Sequence, residues 1–360
     1  MKKISIILAS LAAVAVLTIT TSCNDEWKEE QYAHYISFKA PLDANGVSPV
    51  YVPFTRKAED GSPLYSSDAN GGLGVTDYLL PVLVSGTTNS DANLNVHIGI
   101  SDTLNILNYE RFQHSEEIYY KNLADYKNAS GQAFCTYPET IEIKEGESKA
   151  LLKLKFDLNG LDLAEKWILP LTIVDNNGAY GYRAHPRKHY AKALLRIYPF
   201  NKYSGEYSAT TQQMALEGTT VNPGGLTSRA YVVDENTVFF YAGNNIDELR
   251  NDRHLYKVFA HFVPTETNPN AGEVHLSAEN PLMNFTTDTS KPAQFLISEQ
   301  QDDVQPYLVH RYLTISGIDY KFDDYTAIEG KPRTYRVSGS LTMERQINTQ
   351  IPDEDQAIQW

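Results

Sequence analysis

The sequence predicts an all-β protein of two domains, an immunoglobulin-like β-sandwich followed by an antiparallel β-barrel or a second sandwich. Three observations support this prediction: 24 tyrosines against 4 methionines, many glycine and proline breaks, and repeated alternation of apolar and polar residues. Tyrosine, threonine and valine favour strands, and alternation with a period of two buries one face of a strand. A chain of 360 residues is long enough for two or three domains with separate cores.

The N-terminus has the three-part layout of a secretory signal peptide. Lys2 and Lys3 precede an apolar run, Ile4 to Leu17, and small or hydroxyl residues lead up to Cys23. The run is too short to cross a bilayer, which takes about 20 residues. Because the segment ends at a cysteine, it resembles the signal peptides of bacterial lipoproteins. Residues 1–22 are therefore predicted to be removed and Cys23 to be lipidated; the alternative is an ordinary signal peptide with a chance cysteine.

Residues 23–33 form a predicted acidic tether behind that cysteine. The cluster contains Asp25, Glu26, Glu29 and Glu30, and it resembles the surface-export signal of Bacteroidota lipoproteins. The same composition is typical of a flexible, solvated stalk, and the two interpretations are compatible. We therefore expect a protein that is lipid-anchored in the outer membrane and faces the cell exterior.

Residues 34–199 are predicted to form the sandwich. Leu94, Val96, Ile98 and Ile100 alternate with polar residues and glycine, so they should face the core. The near-continuous apolar runs at 78–84 and 167–174 predict central strands covered on both faces. Pro81 and Pro170 interrupt these runs and cannot donate to a β-ladder, so we expect them at bulges or at an edge.

Two further segments complete the predicted sandwich. Residues 140–158 read as a hairpin that turns at Glu145-Gly146, with alternating apolar residues facing inward on both arms. Residues 107–128 break the strand rhythm and predict a partly helical excursion between strands.

Residues 200–350 are predicted to form the second domain. Pro199 ends a strand, and Asn201 and Gly205 supply turn residues before the next strand begins. The short strands that follow include a hairpin around residues 234–236. They fit a meandering barrel, with a lipocalin-like one included, or a sandwich, and the pattern leaves both open. Residues 351–360 read as a loose tail.

The net charge and the cysteine content limit the partners that we expect and the disulfides that can form. The formal net charge is −14, and the most basic stretch is HPRKH at 185–189, so nucleic acid is not expected as a partner, because its binding normally needs a basic patch. Once Cys23 is lipidated, only Cys135 remains and no intramolecular disulfide can form.

No constellation of residues predicts catalysis or a bound metal. Adjacent carboxylates occur at Glu116-Glu117, Asp302-Asp303 and Asp323-Asp324. Strand neighbours point to opposite faces, whereas glycoside hydrolysis needs two carboxyl groups roughly 5 to 9 Å apart across one bond. We therefore interpret these pairs as solvated turns and predict a protein that is not an enzyme, without cofactor or metal. The oxygen-rich stretches at 67–72 and 175–181 are possible calcium loops, but such clusters are typically turns.

Three stretches of the first half, at residues 77–100, 137–156 and 167–175, resemble the N-terminal β-sandwich domain of Bacteroidota surface lipoproteins. That domain also occurs fused to family-18 glycoside hydrolases, whose acidic catalytic array does not occur in this sequence. The second half is similar to the domain that commonly follows it. The resemblance implies a non-catalytic surface glycan-binding lipoprotein of a polysaccharide-utilisation locus. Its implied partners are an outer-membrane importer, the importer's glycan-capturing lipoprotein, and a glycan, with N-glycan-derived oligosaccharide as one candidate. The rival hypothesis is a structural or assembly lipoprotein of the import complex without a ligand of its own.

A sugar-binding surface needs aromatic faces left open to solvent. Trp167 begins an apolar run and is predicted to be core. In the second domain, polar loops follow or precede two tyrosines, and we expect the glycan site there. The predicted glycan-binding residues are Tyr241, Asn244, Asn245, Arg250 and Tyr307. In the first domain, Tyr119, Tyr120 and Tyr126 are the alternative, although they could equally hold a helix onto the sandwich.

Overall fold

A computed structural model of the chain describes residues 35–53, 56–57, 63–64, 75–85, 89–114, 119–187, 190–219, 222–223, 225–243, 246, 252–326, 328 and 330–350. These residues form two β domains, which confirms the predicted fold class. The signal peptide, Cys23, the acidic tether and the C-terminal tail lie outside the described residues. Within the described ranges, no helix has the length and apolar character needed to span a membrane.

The first domain is a sandwich of two sheets with one α-helix. Its elements are β1 (Tyr35–Phe38), β2 (Ser48–Pro53), β3 (Arg56–Lys57), β4 (Pro63–Leu64), β5 (Val75–Ser85), β6 (Leu94–Ile100), α1 (Thr103–Phe112), β7 (Lys121–Asn122), β8 (Cys135–Thr136), β9 (Thr140–Ile143), β10 (Lys149–Asp157), β11 (Trp167–Val174), β12 (Arg183–Ala184) and β13 (Lys192–Phe200). Sheet A has the order β12-β1-β5-β10-β8. Sheet B has the order β2-β13-β11-β6-β9, with β7 beside β11, and β3 pairs with β4.

The inner faces of the two sheets follow the predicted alternation. Val96 and Ile98 of sheet B are buried against Leu152 and Leu154 of sheet A in one core cluster. Ile100 departs from the prediction, because it is 45 % exposed at the last residue of β6, where the inner face opens to solvent.

The predicted hairpin at 140–158 is wrong in its pairing. β9 pairs with β6 in sheet B, with Thr140 opposite His97, whereas β10 pairs with β5 in sheet A, with Leu152 opposite Leu80. The segment is therefore an arch that crosses between the sheets. Its apolar residues face the core on both arms, as predicted. An alternation with a period of two specifies which face is buried but not which strand is the hydrogen-bonding partner.

The expectation of bulges or edges at the two prolines is also wrong. The Pro81 carbonyl in β5 accepts from the Lys39 backbone N–H at 2.9 Å, one residue past the end of β1. The Pro170 carbonyl in β11 accepts from the Ser101 N–H at 2.9 Å, one residue past the end of β6. Because the N and C=O of a strand residue point to the same side, each missing N–H faces the end of a neighbouring strand. Central strands therefore tolerate both prolines.

Helix α1 begins at Thr103, four residues before the predicted excursion, and ends within it at Phe112. Leu104 and Phe112 of α1 pack with Ile168 and Leu194, so the helix covers part of the outer face of sheet B. The Asn108 side chain ties the returning chain to the helix by accepting from the Tyr120 N–H at 3.0 Å and donating to the Tyr120 carbonyl at 2.8 Å.

The second domain is an antiparallel barrel. Its strands are β14 (Gly205–Ser208), β15 (Gln213–Leu216), β16 (Asn222–Pro223), β17 (Thr227–Val232), β18 (Thr237–Tyr241), β19 (Lys257–Thr265), β20 (Asn268–Ser277), β21 (Thr286–Thr287), β22 (Ala293–Gln301), β23 (Leu308–Asp324) and β24 (Arg333–Asn348). The order β24-β14-β17-β18-β19-β20-β22-β23 closes into a ring of 8 strands through the pairing of β23 with β24. This closure selects the barrel from the two alternatives. Short 3-10 helices lie at Leu123–Asp125, Asn176–Gly178, Arg253–Tyr256 and Pro281–Met283.

The two domains meet through an ion-paired contact between residues 162–165 and the barrel. Arg253, only 4 % exposed, places Nη2 3.2 Å from Glu165 Oε2, and Lys121 lies 3.1 Å from the same carboxylate. Lys257 pairs with Asp162 at 2.9 Å. Charges removed from water need partners, so this network fixes the orientation of one domain against the other.

Candidate functional site

Tyr241 is buried in the structure, with an exposed fraction of 6 %. All of β18 is buried, because it belongs to the barrel wall and the first domain covers it from outside. The Tyr241 hydroxyl accepts a hydrogen bond from Arg253 Nε at 3.0 Å, so the residue belongs to the domain interface. The prediction that this ring is open for stacking is therefore wrong. The uninterrupted apolar run VFFY, residues 238–241, was the available signal, since a strand covered on both faces loses its alternation.

Tyr307 lies elsewhere on the barrel and is half-buried. Its hydroxyl donates to Gln305 Oε1 at 2.8 Å, and its carbonyl accepts from the Thr349 N–H at 2.8 Å. Tyr307 directly precedes β23, which is four strands away from β18 in either direction around the ring. The structure therefore does not bring Tyr241 and Tyr307 together. Asn244, Asn245 and Arg250 lie outside the described residues.

A carboxylate–histidine–carboxylate group lies on the strands beside Tyr307. His310 Nδ1 is 2.6 Å from Glu344 Oε1, and its Nε2 is 3.0 Å from Asp302 Oδ2. The hydrogen bonds to Glu344 and Asp302 raise the pKa of His310, and the bond from His310 lowers the pKa of Asp302. Asp302 also accepts from the Val304 and Gln305 N–H groups, so the cluster ties the β22–β23 loop to β24.

The barrel interior is filled with side chains. Tyr203 stacks on Phe262 with centroids 3.9 Å apart, and Phe295 meets both rings edge-on. Burial raises the pKa of Tyr320 to about 12, and its hydroxyl accepts from the Gly243 N–H. A cavity of about 20 Å³ borders Tyr320, room for about one water molecule. The barrel thus has a lipocalin-like outline without a ligand chamber at this place.

The tyrosines with the largest exposure among the described residues all lie in the first domain. They are Tyr109, Tyr119, Tyr126, Tyr180 and Tyr190. Tyr120, one of the predicted alternatives, is buried beneath α1, and Tyr126 meets Trp167 edge-on at 4.9 Å. Trp167 is buried, as predicted. Exposed aromatic rings therefore concentrate in the sandwich, which the sequence-based site prediction placed second.

Tyr180 and Tyr190 come from one long connection between β11 and β13, residues 175–191, which we call the crossover. Asp175 fixes its start, since Oδ1 accepts from the Asn177 N–H at 3.1 Å and Oδ2 from the Ala184 N–H at 2.9 Å. Tyr182 fixes its centre: the hydroxyl donates to the Val174 carbonyl at 2.6 Å and accepts from the His97 N–H at 2.8 Å. Burial raises the pKa of Tyr182, so this hydroxyl stays protonated as a donor.

Tyr180 forms an exposed aromatic platform with His97. The two ring centroids lie 4.1 Å apart with planes tilted by 34°, and 41 % of Tyr180 is exposed. His97 Nδ1 is 3.2 Å from Thr140 Oγ1, which fixes the imidazole from the other side. Asn95 shares the outer face of β6 with His97 and lies opposite Glu142 on β9. One covered and one free face of Tyr180, with amide and carboxylate groups nearby, suit a sugar ring.

A second group of rings lies at the far end of the crossover. His185 is 5.6 Å from the Tyr35 ring and 4.9 Å from the Tyr190 ring, which it meets edge-on. The Tyr190 carbonyl accepts from the Phe38 N–H at 2.8 Å, so this group is joined to β1. We call the surface formed by Tyr180, His97, Tyr35, His185 and Tyr190 the aromatic edge.

The crossover has no described metal site. Its predicted calcium alternative, 175–181, places both Asp175 oxygens on backbone N–H groups, and no described set of three His, Cys, Asp or Glu side chains is arranged to hold an ion. The other alternative, 67–72, lies outside the described residues. A long tyrosine-bearing connection that contains the most basic stretch of the chain was the sequence signal for this surface.

The adjacent acids at 323–324 are buried, which contradicts their interpretation as a solvated turn. Asp323 accepts from Thr334 Oγ1 at 2.6 Å and from Asn284 Nδ2 at 2.7 Å. Asp324 accepts from the Thr326 N–H at 2.8 Å. Asp323 therefore holds the end of β23 to β24, and Asp324 holds the turn that follows β23. Glu116-Glu117 lies outside the described residues.

Two family models match the chain. A domain of unknown function, DUF4973, matches residues 27–177, and a model described as a C-terminal domain matches residues 191–342. No functionally curated protein matches the chain.

Several solved structures from Bacteroides are similar over nearly the whole chain. An auxiliary nutrient binding protein from Bacteroides thetaiotaomicron is 43 % identical, with 91 % of this chain and 100 % of that chain covered and a TM-score of 0.74. A protein of unknown function from Bacteroides ovatus is 32 % identical over 93 % and 98 % of the two chains, with a TM-score of 0.73. A multidomain protein including DUF1735 from the same species is 34 % identical over 91 % and 100 %, with a TM-score of 0.71.

Proposed function

Because this chain belongs to the same family as the auxiliary nutrient binding protein of Bacteroides thetaiotaomicron, we propose that it is a nutrient-binding protein that holds oligosaccharide on its aromatic edge. The observation that carries the proposal is the Tyr180–His97 platform, an exposed ring held rigidly at the end of a sandwich. The glycan, N-glycan-derived or other, would be captured near an outer-membrane importer and its glycan-capturing lipoprotein.

Binding at the platform combines stacking with hydrogen bonding. The free face of Tyr180 takes the apolar face of a sugar ring, and the amide of Asn95 and the carboxylate of Glu142 bind its hydroxyl groups. The platform is preorganised, since His97 and the crossover are fixed by their own hydrogen bonds. Little side-chain entropy is therefore lost on binding.

We propose binding without turnover. Hydrolysis needs two free carboxyl groups across the scissile bond, roughly 5 to 9 Å apart. At the aromatic edge, both oxygens of Asp175 accept from backbone N–H groups, and Glu142 lies opposite Asn95 on the neighbouring strand. Incubation of the protein with a bound oligosaccharide should release no shorter sugar; release that a Glu142→Gln variant abolishes would contradict the proposal.

Calorimetric titration of oligosaccharides identified on a glycan array tests the site. Tyr180→Ala should weaken binding by about 1 to 2 kcal/mol, roughly five- to thirtyfold, because one stacked ring face is lost. Tyr109→Ala is the matched control, since this ring is 67 % exposed on helix α1 away from the crossover. Tyr307→Ala tests the site predicted from the sequence. Equal affinity of Tyr180→Ala and wild type would refute the platform.

The proposed location is the outer membrane, lipid-anchored through Cys23 and facing the exterior. The signal-peptide layout and the acidic tether support this proposal. Cys23→Ala should move the protein from the membrane fraction to the soluble fraction, and protease added to intact cells should degrade the wild type. Complete protection from the protease would refute the exterior orientation and leave the anchor in place.

An assembly role without a ligand is the second candidate, and one observation favours it. Leu79 and Leu151 are 50 % and 51 % exposed on the outer face of sheet A, where neighbouring strands place them near each other. Exposed apolar groups of this kind often mark protein contacts. Absence of glycan binding together with loss of importer association in a Leu79→Glu, Leu151→Glu variant would favour this role.

A further inference from the structure

The crossover is basic in an otherwise acidic chain. Residues 175–191 contain Arg183, Arg187 and Lys188 against one acid, Asp175, while the whole chain has a formal charge of −14. Asp175 is committed to the loop, because its two oxygens accept from the Asn177 and Ala184 N–H groups. The segment that carries the exposed rings therefore also carries an excess of positive charge.

Arg183 lies between the two ring groups of the aromatic edge. It is the register partner of Tyr35 on parallel neighbouring strands, so both side chains leave the same face of sheet A. Its Nε lies 3.4 Å from the place where a Cβ on Gly178 would stand, in the loop that leads to Tyr180. Its side chain therefore lies beside Tyr35 and extends along the loop that leads to Tyr180.

Lys39 adds a second cation next to the residue that bonds Tyr190. It follows Phe38, whose N–H donates to the Tyr190 carbonyl, and it shares the outer face of sheet A with Tyr35. In the described part of the chain, no carboxylate lies within 4 Å of the charged nitrogens of Arg183 or Lys39. The exposed Arg311 and Arg336, by contrast, have Glu299 and Asp319 as partners.

We propose that the ligand of the aromatic edge is an anionic oligosaccharide, one with carboxylate or sulfate groups. This inference rests on the proposed function and names its ligand class. Sugar rings pack on Tyr180 and on the Tyr190 group, and the acid groups bind Arg183 and Lys39. A guanidinium offers a planar pair of donors that matches a carboxylate or a sulfate. The Arg183 side chain is exposed, so an acid group of the ligand can reach it from solvent.

Matched pairs of charged and neutral sugars test the proposal by calorimetry. Oligogalacturonate is compared with its methyl ester, and a sulfated chondroitin oligosaccharide with its desulfated form. At least one charged sugar should bind ten times more tightly than its neutral partner at 50 mM salt, and the ratio should shrink at 300 mM because salt screens exposed charges. Which pair shows the difference distinguishes carboxylate from sulfate recognition.

Variants locate the effect. Arg183→Gln should weaken binding of the charged sugar about five- to tenfold and leave the neutral form unchanged. Arg333→Gln, an exposed arginine at the start of β24, is the matched control and should bind as wild type. Far-ultraviolet circular dichroism confirms that each variant is folded.

Three results would overturn the proposal, and they differ in what they imply for the proposed function. If neutral and charged forms bind equally and Tyr180→Ala weakens both, the ligand is uncharged and the proposed function stands. If charged sugars bind but Arg183→Gln has wild-type affinity, other residues bind the acid groups of the sugar and the inference is wrong. If no sugar in either pair binds, and the glycan array is also negative, both proposals fail together.

Discussion

Replacing Arg253 with methionine should destabilise the contact between the two domains. The change keeps most of the apolar volume and removes the guanidinium that binds Glu165 at 3.2 Å and Tyr241 at 3.0 Å. Removing one partner of a buried ion pair costs about 3 to 5 kcal/mol, because the other charge stays in a poorly solvated place. Glu165 is 17 % exposed and keeps Lys121 at 3.1 Å. The lower end of that range therefore applies, about 3 kcal/mol, which is more than a hundredfold in the unfolding equilibrium.

Urea unfolding followed by circular dichroism measures this loss. Arg336→Met is the matched control, since Arg336 also pairs with a carboxylate, at 2.6 Å, but is 57 % exposed. An exposed pair of this kind contributes about 0.5 kcal/mol. The Arg253 variant should also split the transition into two, one for each domain, because the contact that couples them is weakened. Equal stabilities of the two variants would refute the assignment of a buried, coupling ion pair.

Three further predictions concern single sites. Gly272→Ala should lower the free energy of unfolding by more than about 2 kcal/mol, measured by urea titration, because the new Cβ would stand 2.0 Å from the Val263 carbonyl oxygen. His310 should titrate above its ordinary pKa in an NMR experiment. Because the folded pKa is raised, its stabilisation is complete below pH 6.5 and is lost as the pH rises through the folded value; His310→Gln should remove that pH dependence. The Cys135 thiol, whose pKa burial raises to about 12, should resist alkylation at pH 8 until urea unfolds the chain, as peptide mass spectrometry would show.

Local patterns in the sequence predicted which face of a strand is buried and failed to predict its partner. Leu152 and Leu154 are buried as the alternation of β10 requires, yet β10 pairs with β5 and not with β9. Both arrangements bury the same side chains, so the alternation cannot distinguish a hairpin from an arch. The alternation also could not distinguish a barrel from a sandwich. Closure depends on the pairing of β23 with β24, and the alternation of a strand does not specify its partner.

Site prediction failed where a tertiary contact decides exposure. Tyr241 precedes a polar loop, which suggested an accessible ring, but the first domain covers the outer side of β18. The sequence did not predict Tyr180 as a site residue, because the preceding residues, DNNG, are typical of a turn and suggested a calcium loop as the alternative. The turn is real, with Asn176 and Asn177 both at positive φ, and its effect is to direct the following tyrosine onto His97.

The tyrosines of the two domains differ in their exposure. In the barrel, Tyr203, Tyr207 and Tyr320 are buried, and burial raises the pKa of each hydroxyl, so these rings contribute to packing. In the sandwich, Tyr180 and Tyr190 are exposed on the crossover. A high tyrosine content therefore predicts a binding surface only where the scaffold leaves the ring faces open.

The position of the aromatic edge also constrains how the protein would work at a membrane. Tyr35 is both the first residue of β1 and a member of the edge. About 12 residues separate Cys23 from Tyr35, and a chain of that length reaches at most about 40 Å when fully extended. If Cys23 is lipidated as proposed, the edge stays within that distance of the bilayer, plus the size of the lipid attachment. A sugar bound there would then remain beside the membrane, within reach of the proposed importer.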